Sequence, residues 1–106
     1  MLTFDDFKKL EIKIGKILTA EKVEGTDKLI KLEVDFGTEK RQIVAGVAES
    51  YKPEYLIGKE LPVLMNLEPR KIRGIESQGM ILAADADGKP VLLHPEKEVP
   101  PGSAVR

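Results

Sequence analysis

Residues 66–77 contain the side chains with the clearest capacity for chemistry in this chain. Arg70, Lys71 and Arg73 place three cations within four positions, whereas the whole chain has a formal net charge of −1. A guanidinium can hold a phosphate through two parallel hydrogen bonds, and an ammonium attracts it as a point charge. The pattern predicts a long, exposed, basic loop that binds a polyanion, with an ordinary solvated loop as the alternative.

Other residues of the same stretch are suited to support such binding. Pro69 and Gly74 restrain the chain, which reduces the entropy lost when the loop binds a partner. The amide of Asn66 can read a base or a phosphate, or can simply form a turn. Ser77 and Met80 straddle the start of the next predicted strand, where Met80 offers either core packing or a flexible apolar surface for an unstacked base.

Residue types that perform catalysis or hold metal ions are scarce. The chain has no cysteine and a single histidine, His94, which precedes Pro95 and has no nucleophile motif to serve. Asp85 and Asp87 stand beside Gly88, but the further ligands of a calcium loop are absent, so a hairpin turn is the better interpretation. We therefore expect no catalytic residue, no metal site and no cofactor.

The size and charge of the chain limit the remaining classes of function. A length of 106 residues suits one domain with a single core. A general nucleic-acid coat protein would carry a broad basic excess, so the near-neutral balance favours binding through a local patch. No apolar run reaches membrane-spanning length and no signal-peptide pattern is present, which predicts a soluble, cytoplasmic protein without a membrane partner.

Hydrophobic periodicity and turn residues divide the chain into two short helices and five strands. Thr3 is placed to cap the first helix, and the parity of the first strand slips at Gly15, which predicts a bulge or bend there. The tail His94–Arg106 is rich in proline and is expected to wrap around the domain in an extended form. The predicted helices are Phe4–Lys9 and Glu49–Leu56, and the predicted strands are 12–17, 31–36, Arg41–Val47, Lys59–Met65 and Gln78–Ala84.

The order of these elements predicts an all-β domain over residues 1–106, a five-stranded Greek-key barrel of the OB-fold type. A helix between the third and fourth strands is typical of that fold. Such barrels bind oligonucleotides on strands two and three and on the loops that join strands one–two and four–five. Residues 66–77 would form the second of these loops. Lys31, on the polar face of the second strand, either extends the basic patch or is one more solvated residue of an alternating strand.

The few aromatic residues lie away from this predicted surface. Phe4 and Phe7 belong to the first helix, Tyr51 and Tyr55 to the second, and Phe36 ends a strand on its core-facing side. Proteins that bind single strands without sequence preference stack the bases on aromatic side chains. The lack of such a platform favours a folded RNA that is recognised by its shape and backbone.

Three stretches of the chain resemble the tRNA-binding domain at the C-terminus of methionyl-tRNA synthetase. They are residues 25–29, residues 43–46 and, most specifically, residues 66–80, where Pro69-Arg70-Lys71 is followed by Ser77-Gln78-Gly79-Met80. The resemblance extends over almost the whole chain. It implies an OB-fold that binds tRNA by structure with little base specificity, and a homodimer joined through segments that include the terminal regions.

Positions shared with that family imply which residues bind tRNA. Carried over by position, they are Asn66, Arg70, Lys71, Ser77 and Met80, with Arg73 and Lys31 as additions. Lys13 stands where the family commonly has an arginine. It keeps the charge but loses the bidentate geometry, so it is left out of the predicted site.

The resemblance also implies partners and a role without catalysis. Because the chain begins at Met1 and ends just after the predicted barrel, we expect a free-standing, non-enzymatic module. It would be a β-type subunit of a methionyl-tRNA synthetase, with the catalytic subunit of that enzyme as a partner. A second branch of the family, the CsaA proteins, is associated with peptide binding, and a dimeric chaperone module is the alternative function.

We predict that the protein retards tRNA in a gel shift and that added salt weakens this binding steeply, because phosphate contacts release counterions. Unstructured single strands of the same length should compete poorly. Efficient competition by a single-stranded RNA would contradict the predicted preference for a folded RNA.

Overall fold

The computed structural model describes all residues from Met1 to Arg106. It contains two helices of four residues each, α1 (Phe4–Phe7) and α2 (Pro53–Leu56). The strands are β1 (Ile12–Lys22), β2 (Ile30–Asp35), β3 (Lys40–Ala45), β4 (Glu60–Leu64), β5 (Arg70–Ile72), β6 (Ile75–Ser77), β7 (Met80–Ile81), β8 (Ala83–Ala86) and β9 (Lys89–Leu92). Thr3 caps α1 as predicted, through a capping box with Asp6.

A five-stranded antiparallel sheet in the order β3-β2-β1-β4-β7 forms the barrel. The long strand β1 curls through it, because its first half, Ile12–Lys16, pairs with β4 and its second half, Lys16–Lys22, pairs with β2. α2 lies between β3 and β4 in the chain. The predicted all-β barrel with two short helices is confirmed.

Gly15 lies beside the point where β1 changes its partner. A Cβ at this position would lie 2.6 Å from Cε1 of Phe36 and would also collide with Val34. The bulge predicted here is misplaced, because the register of β1 against β2 changes between Ile17 and Thr19. The glycine therefore serves the close packing of β1 on β2.

The core is built from the inward-facing positions of β1–β4. In β2, Ile30, Leu32 and Val34 are at most 1% exposed, while the intervening Lys31 and Glu33 point the other way. This is the alternation expected of a half-buried strand. Each large aliphatic side chain buried in this way stabilises the fold by roughly 1.5–3 kcal/mol relative to exposure.

Several predicted elements are shorter than expected or divided. The strand predicted at Gln78–Ala84 is two strands, β7 and β8, which belong to different sheets because the chain leaves β4 after a two-residue pairing. The helix predicted at Glu49–Leu56 is reduced to α2, since Pro53 is favoured at its first position and lacks the amide needed further inside a helix. The strand predicted at Arg41–Val47 ends at Ala45.

The C-terminal tail runs in an extended form, as predicted. Its last residues lie beside the first half of β1, where the amides of Gly102 and Val105 donate to the carbonyls of Ile14 and Ile12 at 2.7 and 2.9 Å. These bonds cover the edge of β1 that is not paired with β4 there. The terminal segment therefore becomes part of the barrel wall.

The barrel closes between β3 and β6 largely through side chains. Oγ of Ser77 accepts a hydrogen bond from the amide of Val44 at 3.0 Å, and Oε1 of Gln78 accepts one from the amide of Gln42 at 3.0 Å. The amide of Gln78 donates in turn to the carbonyl of Gln42 at 2.8 Å. The end of β6 is thus fastened to β3 without a regular ladder of backbone bonds.

We predict that Gly15→Ala lowers the free energy of unfolding by about 1–3 kcal/mol, because the added methyl group overpacks the core against Phe36. Chemical denaturation measures the change. Gly46→Ala is the matched control, since a Cβ at Gly46 meets no atom within 4 Å. Equal effects of the two substitutions would contradict the packing role of Gly15.

Candidate nucleic-acid interface

The basic residues predicted to lie on a loop form a β-hairpin. β5 and β6 pair in antiparallel register, and a two-residue turn at Arg73 and Gly74 joins them with φ values of 53° and 79°. Positive φ at both positions is the geometry of a type I′ turn, which matches the twist of the flanking strands. The loop prediction was wrong because arginine replaces the asparagine or aspartate that usually signals this turn. We call Arg70–Ser77 the basic hairpin.

The three cations of the basic hairpin point in different directions. Arg70 lies opposite Ser77 and Lys71 opposite Glu76, so strand alternation places Arg70 and Lys71 on opposite faces of the ribbon. Arg73 occupies the tip. All three side chains are exposed, and none of them makes an ion pair with a carboxylate. The three exposed cations therefore lie on both faces and at the tip of the hairpin, with Glu76 opposite Lys71 and the buried Ser77 opposite Arg70.

The predicted contact residue Asn66 holds the entry to this segment. Its Nδ2 donates to the carbonyl of Lys9 at 2.7 Å, and its Oδ1 accepts from the amide of Glu11 at 2.8 Å. The side chain thus ties the chain before the basic hairpin to the segment after α1. Its amide is already engaged on both sides within the protein.

The predicted contact residue Ser77 holds the exit in a similar way. It is 5% exposed, and its hydroxyl accepts from the amide of Val44 and donates to the carbonyl of Gly79, each at 3.0 Å. A buried hydroxyl with both functions satisfied stabilises its surroundings. Its position fits a support of the basic hairpin better than a free surface group.

Lys31 and Met80 lie on strands of the barrel, Lys31 in β2 and Met80 in β7. Nζ of Lys31 lies 2.7 Å from a carboxylate oxygen of Glu21, so its charge is largely compensated. The outer face of β2 also carries Glu33 and Asp35, which makes this surface mixed in charge. Met80 is 47% exposed beside Leu64 and offers an apolar surface, as one of its two predicted roles requires.

This geometry agrees with what comparison with known proteins reveals. The family model of the tRNA binding domain matches residues 12–104. The chain belongs to the tRNA-binding domain family. The resemblance proposed from the basic segment is thereby confirmed for almost the whole chain.

This tRNA-binding domain is similar to known proteins both in sequence and in three-dimensional structure. A methionine–tRNA ligase of Archaeoglobus fulgidus is 60% identical over 104 residues, which are 98% of this chain and 16% of that protein. Among solved structures, a MetRS-related protein from Pyrococcus horikoshii has a TM-score of 0.95 and 45% identity, with 100% of this chain and 98% of that chain covered. A chaperone CsaA from Bacillus anthracis has a TM-score of 0.90 and 33% identity, with 100% and 99% covered.

Arg41 is the residue of the tRNA-binding domain that sequence reasoning missed. Its Nη1 donates to the carbonyls of Met65 and Gln78 at 2.7 and 3.1 Å, and its Nε donates to the carboxylate of Glu39. That bond holds the pKa of Glu39 below its usual value. In the sequence Arg41 is one more charged residue of a strand, and no local pattern reveals its partners.

No group of three or more His, Cys, Asp or Glu side chains is arranged to hold a metal ion. No helix is long and apolar enough to cross a membrane.

We predict that Arg73→Asn keeps or raises the stability of the tRNA-binding domain, by up to about 1 kcal/mol, because asparagine tolerates the left-handed backbone of a type I′ turn. The same substitution should weaken tRNA binding, since it removes the charge at the tip. Denaturation and tRNA titration measure the two effects.

Asp87→Asn is the control for this substitution, because Asp87 has a φ of 54° in the turn between β8 and β9. It should leave both stability and tRNA binding nearly unchanged, because aspartate and asparagine both suit this turn and Asp87 lies outside the basic hairpin. If Arg73→Asn left tRNA affinity intact, Arg73 would serve the turn alone.

Proposed function

We propose that this domain binds tRNA by its folded structure, through the basic hairpin, and assists a methionyl-tRNA synthetase without performing catalysis itself. The observation that carries the proposal is the presence of three exposed cations without carboxylate partners on a hairpin fastened to the barrel. Arg70 and Arg73 would clamp phosphates in bidentate fashion, and Lys71 would act as a point charge. Met80 would add apolar contact at the base.

The distribution of aromatic residues supports a folded RNA as the target. Phe36 is 2% exposed, and Tyr51 and Tyr55 stack on each other with ring centroids 5.7 Å apart. Lys59 lies over Tyr55, 4.5 Å from the ring centroid, so that ring is not free to receive a base. Phe4 and Phe7 are exposed, but they line the groove around α1 and are not part of the basic hairpin. Because the hairpin has no aromatic platform, binding there depends on backbone and shape, as expected for folded RNA.

The predicted contacts of Asn66, Ser77 and Lys31 with tRNA carry a cost. Each of these side chains already bonds within the protein and would exchange that bond for one to RNA. Arg70, Lys71 and Arg73 make no such exchange. We therefore assign the larger share of tRNA binding to these three cations.

The role in aminoacylation rests on the relationship to methionine–tRNA ligases. The chain corresponds to 16% of the length of such a relative, so it would supply tRNA contacts and leave the reaction to a catalytic subunit or region. Binding at a second site raises the local concentration of tRNA near that active site. The place of action would be the cytoplasm.

An apolar groove of about 950 Å³ supports a homodimer. α1 and the C-terminal end line it, and its most exposed apolar side chains are Phe4 at 88%, Leu2 at 83% and Leu10 at 46%. α1 buries no residue of its own within the chain, so its apolar side chains remain available to a partner. A second copy covering the same groove would remove this surface from water.

The same groove favours the alternative function, a dimeric peptide-binding chaperone similar to CsaA. Its apolar lining suits a peptide, and the chain is 33% identical to a chaperone CsaA. The unpaired cations of the basic hairpin have no part in that function, which makes tRNA binding the better supported proposal. Peptide capture that persists after RNase treatment would favour the chaperone.

We predict that replacing both Arg70 and Lys71 by alanine lowers tRNA affinity and flattens its dependence on salt by about two units of slope, about one for each lost phosphate contact. The matched control replaces Lys89 and Lys97 by alanine, which removes the same charge outside the basic hairpin. If both double variants bound tRNA like the unaltered protein, the site would be wrongly assigned.

We predict that Phe4→Asp converts the dimer to a monomer, because it would place a charge in the buried centre of the interface. Light scattering after gel filtration measures the mass. Ile57→Asp is the control, since Ile57 is 52% exposed and lies outside the groove. A Phe4→Asp protein that stays dimeric would exclude this groove as the interface.

A further inference from the structure

The basic hairpin and its flanking residues leave the barrel at Met65 and return to it at Gln78. We call these two positions the neck; the segment between them carries Arg70, Lys71 and Arg73, to which the larger share of tRNA binding is assigned. Met65 is 2% exposed and belongs to the core, so the entry is anchored. The hairpin beyond the neck packs on the barrel mainly along β6.

Nη1 of Arg41 reaches both sides of this neck. It donates to the carbonyl of Met65 at 2.7 Å and to the carbonyl of Gln78 at 3.1 Å. The other bonds of the neck each hold one side: Asn66 bonds to the segment after α1, and Gln78 and Ser77 bond to β3. Arg41 is the one side chain that bonds to both entry and exit.

The chemistry of the guanidinium suits this position. Its N–H groups lie in one plane with fixed directions, so two of them can meet two carbonyls at once, while Nε–H is directed to Glu39. The ammonium of a lysine lacks this fixed fork. The Arg41 side chain is 25% exposed and its charge is paired with Glu39, so little of it is free for a phosphate.

We propose that Arg41 is a positioning residue for tRNA binding, which closes the neck and sets the direction in which the basic hairpin presents its cations. The proposal rests on the proposed function of that hairpin. Without the bonds of Arg41 the basic hairpin samples more orientations. tRNA binding must then order it, and the loss of conformational entropy weakens the affinity. The expected cost is on the order of tenfold in tRNA affinity.

The test compares Arg41→Lys with Arg41→Gln and with the control Lys40→Ala, which removes an exposed neighbouring charge. The measurements are tRNA affinity, its salt slope, and amide hydrogen exchange of residues 70–77 against β1–β4. For Arg41→Lys we expect about tenfold weaker binding, an unchanged salt slope and faster exchange confined to residues 70–77. Arg41→Gln should show the same faster exchange, and Lys40→Ala should not.

Two results overturn the inference. If the Arg41→Lys protein bound tRNA like the unaltered protein and residues 70–77 exchanged their amide hydrogens at the same rate, a positioning role would be excluded. If Arg41→Gln reduced the salt slope while Arg41→Lys kept the slope of the unaltered protein, Arg41 would contact a phosphate directly instead. If the unaltered protein bound no tRNA, the proposed function itself would fail, and that result is distinct because it precedes any variant.

Discussion

Closure of the barrel between β3 and β6 is the constraint on which the rest of the structure depends. β3 ends the five-stranded sheet and β6 belongs to another, so side chains of Ser77, Gln42 and Gln78 make the connection. Buried hydroxyl and amide groups cost free energy unless they are hydrogen-bonded. The connection between β3 and β6 is therefore favoured in the one arrangement that pairs them. The bonds that complete the barrel also decide where the basic hairpin returns to it.

The apolar surface around α1 and the basic hairpin are both attached to the segment that begins at Met65 and Asn66. On one side the amide of Met65 donates to the carbonyl of Glu11 at 2.7 Å, and Asn66 bonds to Lys9 and Glu11, so the entry is tied to the apolar segment around α1. On the other side lies the basic hairpin. Hydrogen bonds therefore link the proposed dimer surface to the segment that carries the proposed tRNA surface, although the first is apolar and the second is basic.

The small net charge of the chain is compatible with polyanion binding because charge acts locally. Salt screens exposed charges beyond roughly 8–10 Å, so a phosphate at the hairpin responds mainly to the cations beside it. Elsewhere the cations Lys9, Lys13, Lys31 and Arg41 are paired with carboxylates. The basic hairpin differs from the rest of the surface because three unpaired cations lie within four positions there, and this clustering matters more than the sum of charges.

The sequence by itself determined the barrel class, the alternation of β2, the cap at Thr3, the turn at Asp87 and the place of the basic residues between β4 and β7, the fourth and fifth strands of the barrel. These features follow from periods of two residues and from local turn chemistry, which neighbouring residues encode. Only the tertiary structure decided how the site is supported. Arg41 meets partners 24 and 37 positions away, and no local pattern specifies contacts over such distances. Asn66 likewise looked like a surface amide until the fold placed it against residues 55 and 57 positions earlier.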